Sequence, residues 1–262
     1  AQPQRWLGAG GTPTTDEEYA GELTLSPSQF ERALACPLRW FLTTVGADGP
    51  SNAAASLGIL IHAVAEEHPH GTPEELTEAL EARIEELGYN LDTWAGRHSD
   101  RRARAIVENL ASYLVGVPGR VDVEQKVEAQ VEGVTIRGRM DRLEYVDEGV
   151  RVTDLKTGSN PDPYRKVDEN AQLAAYQLAL LASGEDVAGA RIALLGTKKK
   201  PQTFDQKPLQ GEALAQWRNK VREVAESARG PYFEARPSDA ACAYCSFDRL
   251  CPARERGHKV VE

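Results

Sequence analysis

The chain is poor in cysteine, in excess positive charge and in long apolar runs, and each shortage excludes something. No apolar stretch is long enough to cross a bilayer, so no membrane partner is expected. The opening AQPQRWLGAGGTPTTDEEYAGE lacks the charged-then-apolar layout of a secretory signal. Its Gly, Thr and acidic residues read as a flexible linker over residues 1–23, and the protein is expected in the cytoplasm. There is no Gly-rich GK[ST] phosphate loop, hence no nucleotide-driven motor within these 262 residues. The net charge of −9 and a pI near 5.2 argue against a broad electrostatic nucleic-acid surface. Basic residues gather only locally, at Arg101, Arg102 and Arg104, at Lys198 to Lys200, and at Arg218, Lys220 and Arg222. Each cluster alone reads as a solvated face.

The four cysteines that are present sit unevenly: Cys36 near the start, then Cys242, Cys245 and Cys251 close together. In a cytoplasmic protein they are expected to be metal ligands rather than disulfides, gathering the two ends of the chain around one soft-metal site. Cys242-x-x-Cys245 is a chelating turn, and proline follows both Cys36 and Cys251, as it does some cluster-binding cysteines. Zinc sites usually pair two close knuckles, whereas here the fourth ligand is single and remote. Thiolates select iron–sulfur clusters or zinc, and on the residues alone both stay open.

Between the cysteines the pattern changes once. Ser28-Gln-Phe-Glu31 has capping-box spacing and predicts a helix start, with Pro37 interrupting or restarting it. Helices are expected at 57–68, from Thr72-Pro73-Glu74-Glu75 to about Gly88, and at 98–115. From Val121 the residues alternate, predicting strands through 131, from Val134 to Tyr145, and from Val150 to Lys156 after a turn at Asp147-Glu148-Gly149. A helix over 168–183, a strand over 190–197 and an amphipathic helix over 211–229 complete an α/β pattern.

Residues two apart on a strand share a face, so Asp154 and Lys156 project together, and Asp141 reaches the same cleft from the preceding strand. Carboxylates in such a cleft suit Mg²⁺ or Mn²⁺, with Lys156 placed to orient a water or offset charge on a phosphate. A D-x-K tripeptide alone is weak, because exposed strands carry it by chance. Its company is not: Gly58-x-x-x-His62, Gly138-Arg-Met-Asp141-Arg142, Asp154-Leu-Lys156 and Gln172-x-x-x-Tyr176 form an ordered series.

That series resembles the RecB-like branch of the PD-(D/E)xK nucleases over about residues 24–252. The resemblance implies a restriction-endonuclease-like α/β core, a mixed central sheet flanked by helices, with an N-terminal helical region. It implies a metal held by His62, Asp141, Asp154 and the Leu155 carbonyl, Lys156 as catalytic lysine, and Gln172 and Tyr176 beside the DNA backbone. Glu124 falls where many relatives carry an acidic residue. The cysteine layout and LTLSPSQFERALACPLRWFL resemble the iron-staple nuclease domains of AddB- and AdnAB-type helicase–nucleases, implying a 4Fe–4S cluster on Cys36, Cys242, Cys245 and Cys251. The implied organisation is a nuclease domain over 24–236 with a helical insertion about 57–117, closed by a Cys-rich segment over 237–262. The implied function is a Mg²⁺- or Mn²⁺-dependent deoxyribonuclease, an exonuclease processing double-strand breaks for recombinational repair. Its single-stranded DNA would come from a helicase motor in the same parent chain or a partner subunit. A stand-alone CRISPR-adaptation-type nuclease and an inactive DNA-binding module of the same fold are the alternatives.

Overall fold

The computed structural model describes residues 16–47, 53–84, 90–117, 119–243 and 245–254. Its helices are α1 (Pro27–Ala35), α2 (Pro37–Thr44), α3 (Ala53–Glu67), α4 (Pro73–Arg83), α5 (Trp94–Val115), α6 (Ala171–Ala182), α7 (Gly211–Ser227) and α8 (Asp239–Cys242). The strands are β1 (Leu23–Leu25), β2 (Val121–Val131), β3 (Val134–Val146), β4 (Gly149–Lys156), β5 (Val187–Leu194) and β6 (Gln202–Gln206). They form one mixed sheet in the order β1-β3-β4-β5-β6, with β2 also paired to β3. The mixed sheet flanked by helices is the expected fold class.

Local chemistry fixes most of these boundaries. The first helix starts at Ser26 rather than Ser28: the Ser26 side chain accepts from Gln29 N, the Gln29 side chain accepts from Ser26 N, and Pro27 fills the first helical position. Two overlapping capping boxes compete there, and the proline decides between them. Pro37 restarts the chain as α2 with Cys36 as its cap. Thr72 and Glu75 cap α4 reciprocally, as expected, and α4 reaches Arg83. The predicted end near Gly88 falls outside the described residues. Thr93 and Asn170 cap α5 and α6, setting their starts four residues before and three residues after the sequence-based positions 98 and 168. The fifth strand lies at Val187–Leu194 rather than 190–197, and the short strands β1 and β6 had no sequence-based expectation.

By contacts the chain divides into two compact units. One comprises Ser51–Val127 and Gly138–Leu209, the other Ala1–Pro50, Glu128–Arg137 and Gln210–Glu262. In the first, β3 pairs antiparallel with β4, β4 parallel with β5, and β5 antiparallel with β6. Leu155, Ala193 and Leu195 join a buried cluster with α3, α4 and α5, including Ile61, Leu80 and Leu110. Asp154 and Lys156 point to the opposite face, where α6 packs against β4 and β5. The odd and even residues of β4 therefore divide the work: Leu155 anchors the strand in the core while its neighbours supply chemistry.

In the second unit, β1 runs parallel to Val134–Ile136, and α1 packs on α2 and α7. Phe41 stacks on Phe233 with ring centroids 4.1 Å apart. Arg39 donates to the Ala241 carbonyl at 2.7 Å, Leu38 N to Glu234 O at 3.1 Å, and Arg236 N to Cys36 Sγ at 3.5 Å. Residues 234–241 thus lie along the α1–α2 junction that carries Cys36.

Candidate active site

The β3–β4 register matches Arg142 with Thr153, so one step further on sets Asp141 opposite Asp154, and directly opposed residues share a face. Asp141 Oδ2 accepts from the Leu155 N–H at 2.7 Å, binding its carboxylate to the peptide between Asp154 and Lys156. Its Oδ1 lies 3.2 Å from His62 Nδ1 on α3. Asp141, Asp154, Leu155, Lys156 and His62 are therefore brought together.

Glu124, on β2, completes the arrangement. Ligand atoms of His62, Glu124 and Asp141 all lie within 4.8 Å of one another. Glu124 has φ of 51°, a left-handed conformation uncommon for a non-glycine residue and a frequent mark of functional sites. Arg139 Nη1 stands 3.0 Å from its carboxylate. A cleft of about 450 Å³ opens over these groups, lined among others by Gly58, Ile59, His62, Glu66 and Glu124. A Cβ on Gly58 would meet Thr157 Oγ1 only at ordinary contact distance, 3.5 Å, so local packing does not itself require glycine there.

Asp154 is nearly sealed, 4% exposed, and its environment differs from that of Asp141. Gln172 Nε2 donates to Asp154 Oδ1 at 2.7 Å while Gln172 Oε1 accepts from Lys156 Nζ at 3.1 Å. Lys156 Nζ is also 2.7 Å from Asp154 Oδ2, an ion pair off the hydrogen-bond direction. Gln172 thus clamps the aspartate and the lysine together. Tyr176, one turn along α6, does not reach the carboxylates; its hydroxyl donates to the Arg139 carbonyl at 2.8 Å, holding β3 two residues before Asp141.

Electrostatics decide which groups carry charge. Burial opposes the charge on Lys156, but the Asp154 carboxylate outweighs it and raises the lysine pKa, favouring the ammonium. Burial pushes the Asp154 carboxyl up, with Lys156 pulling it down and the like charge of Asp141 pushing it up again. Glu124 is raised by burial and by Asp141, against Arg139. Burial lowers the His62 pKa, but its hydrogen bond to Asp141 and the neighbouring carboxylates prevail and raise it. Anions crowded into a partly dry cleft repel one another, and a divalent cation relieves that repulsion. Oxygen donors with one imidazole suit Mg²⁺ or Mn²⁺. The residues fit such an ion.

The cysteines fit their group less fully. All four are free and half-buried. Among the described residues no three of their sulfurs lie within 4.8 Å of one another. A tetrahedral zinc would need sulfurs about 3.8 Å apart, given its Zn–S bond length.

With that geometry in view, residues 24–252 match the PD-(D/E)XK nuclease superfamily, and the chain belongs to it. It is 26% identical over 267 residues to the Gene 69 protein of Mycobacterium phage D29, covering 87% of this chain and 96% of the phage protein. A crystal structure of a candidate exonuclease from Eubacterium rectale overlays with a TM-score of 0.54 at 15% identity, covering 90% of this chain and 92% of that one. Another, SSO0001, overlays at a TM-score of 0.45 with 15% identity, covering 89% of this chain and 88% of that one. Among the described residues, no helix is long and apolar enough to cross a membrane.

Proposed function

We propose that the chain is a Mg²⁺- or Mn²⁺-dependent deoxyribonuclease that hydrolyses phosphodiester bonds, acting as an exonuclease on single-stranded DNA. The observation that carries this reading is the convergence of His62, Glu124 and Asp141 beside the Asp154–Lys156 pair in a nuclease-superfamily chain. His62, Glu124 and Asp141 would hold the cation; Asp154 and the Leu155 carbonyl, further ligands that the family resemblance implies, lie on β4, with Asp154 outside the set of ligand atoms within 4.8 Å of one another. When bound, the ion supplies Lewis acidity to the scissile phosphate and to the attacking water.

The chain's own groups do the rest. Water adds to phosphorus and gives up a proton to solvent, negative charge builds on the non-bridging oxygens, and the bond to the leaving oxygen breaks as that oxygen takes a proton from solvent. The Lys156 ammonium, held against the buried Asp154, donates to that charge. Gln172 positions Lys156 and Asp154 relative to each other, and Tyr176 positions the β3 backbone that presents Asp141. Metal removal tests the assignment: the purified protein should digest a single-stranded oligonucleotide in Mg²⁺ or Mn²⁺, stop in EDTA, and resume on adding the ion back. Digestion that persists in EDTA overturns metal dependence.

The cysteines carry the second half of the proposal, a structural 4Fe–4S cluster on Cys36, Cys242, Cys245 and Cys251. Its support is the soft donor set and the docking of residues 234–241 beside Cys36. Anaerobically purified protein should be brown and contain iron and acid-labile sulfide, and Cys251→Ala should lose both. Colourless protein with stoichiometric zinc overturns the cluster. The resemblance at residues 23–42 supports a role as the nuclease module of a break-processing helicase–nuclease, fed single strands by the motor. The phage relative, aligned over 96% of its own length, is a protein of module size and favours a free-standing nuclease as the second reading.

A further inference from the structure

The nuclease reading leaves one side of the first compact unit unexplained. On α5, Trp94, His98 and Arg102 follow one another at successive helical turns, all exposed, before the same row of residues turns inward at the buried Ile106 and Leu110. Trp94 is 71% exposed, a large apolar surface left in water. Its ring stacks on His98, centroids 5.3 Å apart and nearly parallel at 10°. One turn further along, Arg102 Nη2 comes to 3.5 Å from the carbonyl of Thr157, the residue after Lys156. The stacked pair therefore stands about 6 to 12 Å from Arg102 along the helix axis, given 1.5 Å per residue.

A second cationic feature meets the same peptide. Gly196 lies so close that a Cβ there would fall 2.3 Å from the Thr157 and Gly158 carbonyls. The loop that follows is rigidly held. Buried Asn109 donates to Leu195 O at 2.7 Å and Thr197 O at 2.9 Å, and the Thr197 hydroxyl donates to Lys200 O. That anchoring presents Lys198, Lys199 and Lys200 to solvent. Among the described residues none of the three forms an ion pair, nor does Arg102, although the nearby Arg104 is engaged by Asp100 and Glu81. In a chain of net charge −9, unpaired cations fixed beside the reactive lysine are a specific feature. Cations for phosphates and an exposed stacked aromatic for bases are together the requirements of a single-stranded polynucleotide.

We propose that Trp94 and His98, Arg102 and the Lys198–Lys200 loop form the approach track along which single-stranded nucleic acid reaches the active site. The proposal rests on the nuclease reading and deepens it. Bases stack on the Trp94–His98 platform while Arg102 and the lysines hold the phosphates that lead to Lys156. A duplex keeps its bases stacked internally and gains nothing from the platform.

Binding of a fluorescent oligo(dT) in EDTA, across a salt series, tests this without cleavage. Trp94→Ala should weaken binding about ten-fold with an unchanged salt slope, and Trp94→Phe should restore most of it. Replacing Lys198, Lys199 and Lys200 together by alanine should make the log–log salt slope shallower by about 2, three single-strand contacts at about 0.7 each. Variants that bind oligo(dT) like the wild type, a wild type that does not bind it, or equal losses for duplex DNA each overturn the track. The two readings fail separately. A wild type that cleaves in Mn²⁺ while the variants bind normally removes the track alone. Variants that lose binding, with a wild type that never cleaves, keep the track and remove the nuclease.

Discussion

Lys156→Ala is expected to lower kcat for oligonucleotide cleavage by about 10²- to 10³-fold while changing oligonucleotide affinity little, the usual effect of removing one preorganised charge donor. The reasoning starts from the ion pair. Lys156 sits 2.7 Å from Asp154 Oδ2 and is steadied by Gln172 at 3.1 Å, so its ammonium is in place before substrate arrives. Asp154 raises the lysine pKa, which favours the ammonium and a role in charge stabilisation. Such a contact strengthens as charge develops on the phosphate, so its loss falls on kcat rather than on binding. Lys156→Arg should not rescue fully, because a planar guanidinium cannot reproduce a compact ammonium within the Gln172 clamp. Single-turnover cleavage with saturating Mn²⁺ is the measurement, and a Lys156→Ala rate within about two-fold of wild type removes the lysine from the mechanism. Gln172→Ala should lower kcat less than Lys156→Ala, since it loosens the pair without deleting the charge.

How much of this was legible in the sequence follows from the range over which each feature is determined. The Asp154–Lys156 face is set by the two-residue period of a strand, and the α4 start by a cap, a proline and a glutamate within four residues. These are local and were readable. The place of Glu124 is not local. Its carboxylate reaches His62 and Asp141 because its backbone turns to a positive φ within β2, which no alternation pattern signals. By alternation alone a glutamate at that point in a strand reads as an outward polar residue, and only the family resemblance singles it out. Strands β1 and β6 are short, with three and five residues, and exist through pairing with β3 and β5 rather than through propensity. The Trp94–His98 stack lies at the very start of α5, in a turn that the apolar periodicity of the rest of the helix does not cover.

The buried charge beneath the site was the least visible feature, and it carries the second large effect. Glu144→Ala is expected to destabilise the protein by about 3–5 kcal/mol, the usual result of breaking a buried ion pair from one side. Arg142 and Glu144 alternate with Asp141 and Leu143 along β3, so the sequence reads them as an ordinary polar face. In the structure that face is covered by α5, and the two side chains are 0% and 1% exposed. Glu144 accepts from the Tyr113 hydroxyl and from Arg151 at 2.9 Å, with Arg142 Nε 3.6 Å away. Burial and the Glu144 carboxylate raise the Tyr113 pKa, so the phenol keeps its proton and donates. Without the carboxylate, Arg142 is a sealed guanidinium whose remaining hydrogen bond is to Pro69 O at 3.1 Å, its Nε and Nη1 having no hydrogen-bond partner. Pro69 lies just beyond α3, the helix that carries His62, so the same loss loosens the connection between His62 and Asp141. Urea unfolding should show the deficit, with Glu144→Gln milder because it keeps an acceptor for Tyr113. The exposed pair Arg137–Glu128 is the control, and breaking it should cost under about 1 kcal/mol. A Glu144→Ala loss no larger than that control would mean the buried guanidinium finds water or another partner, and the packing of β3 under α5 would need a different account.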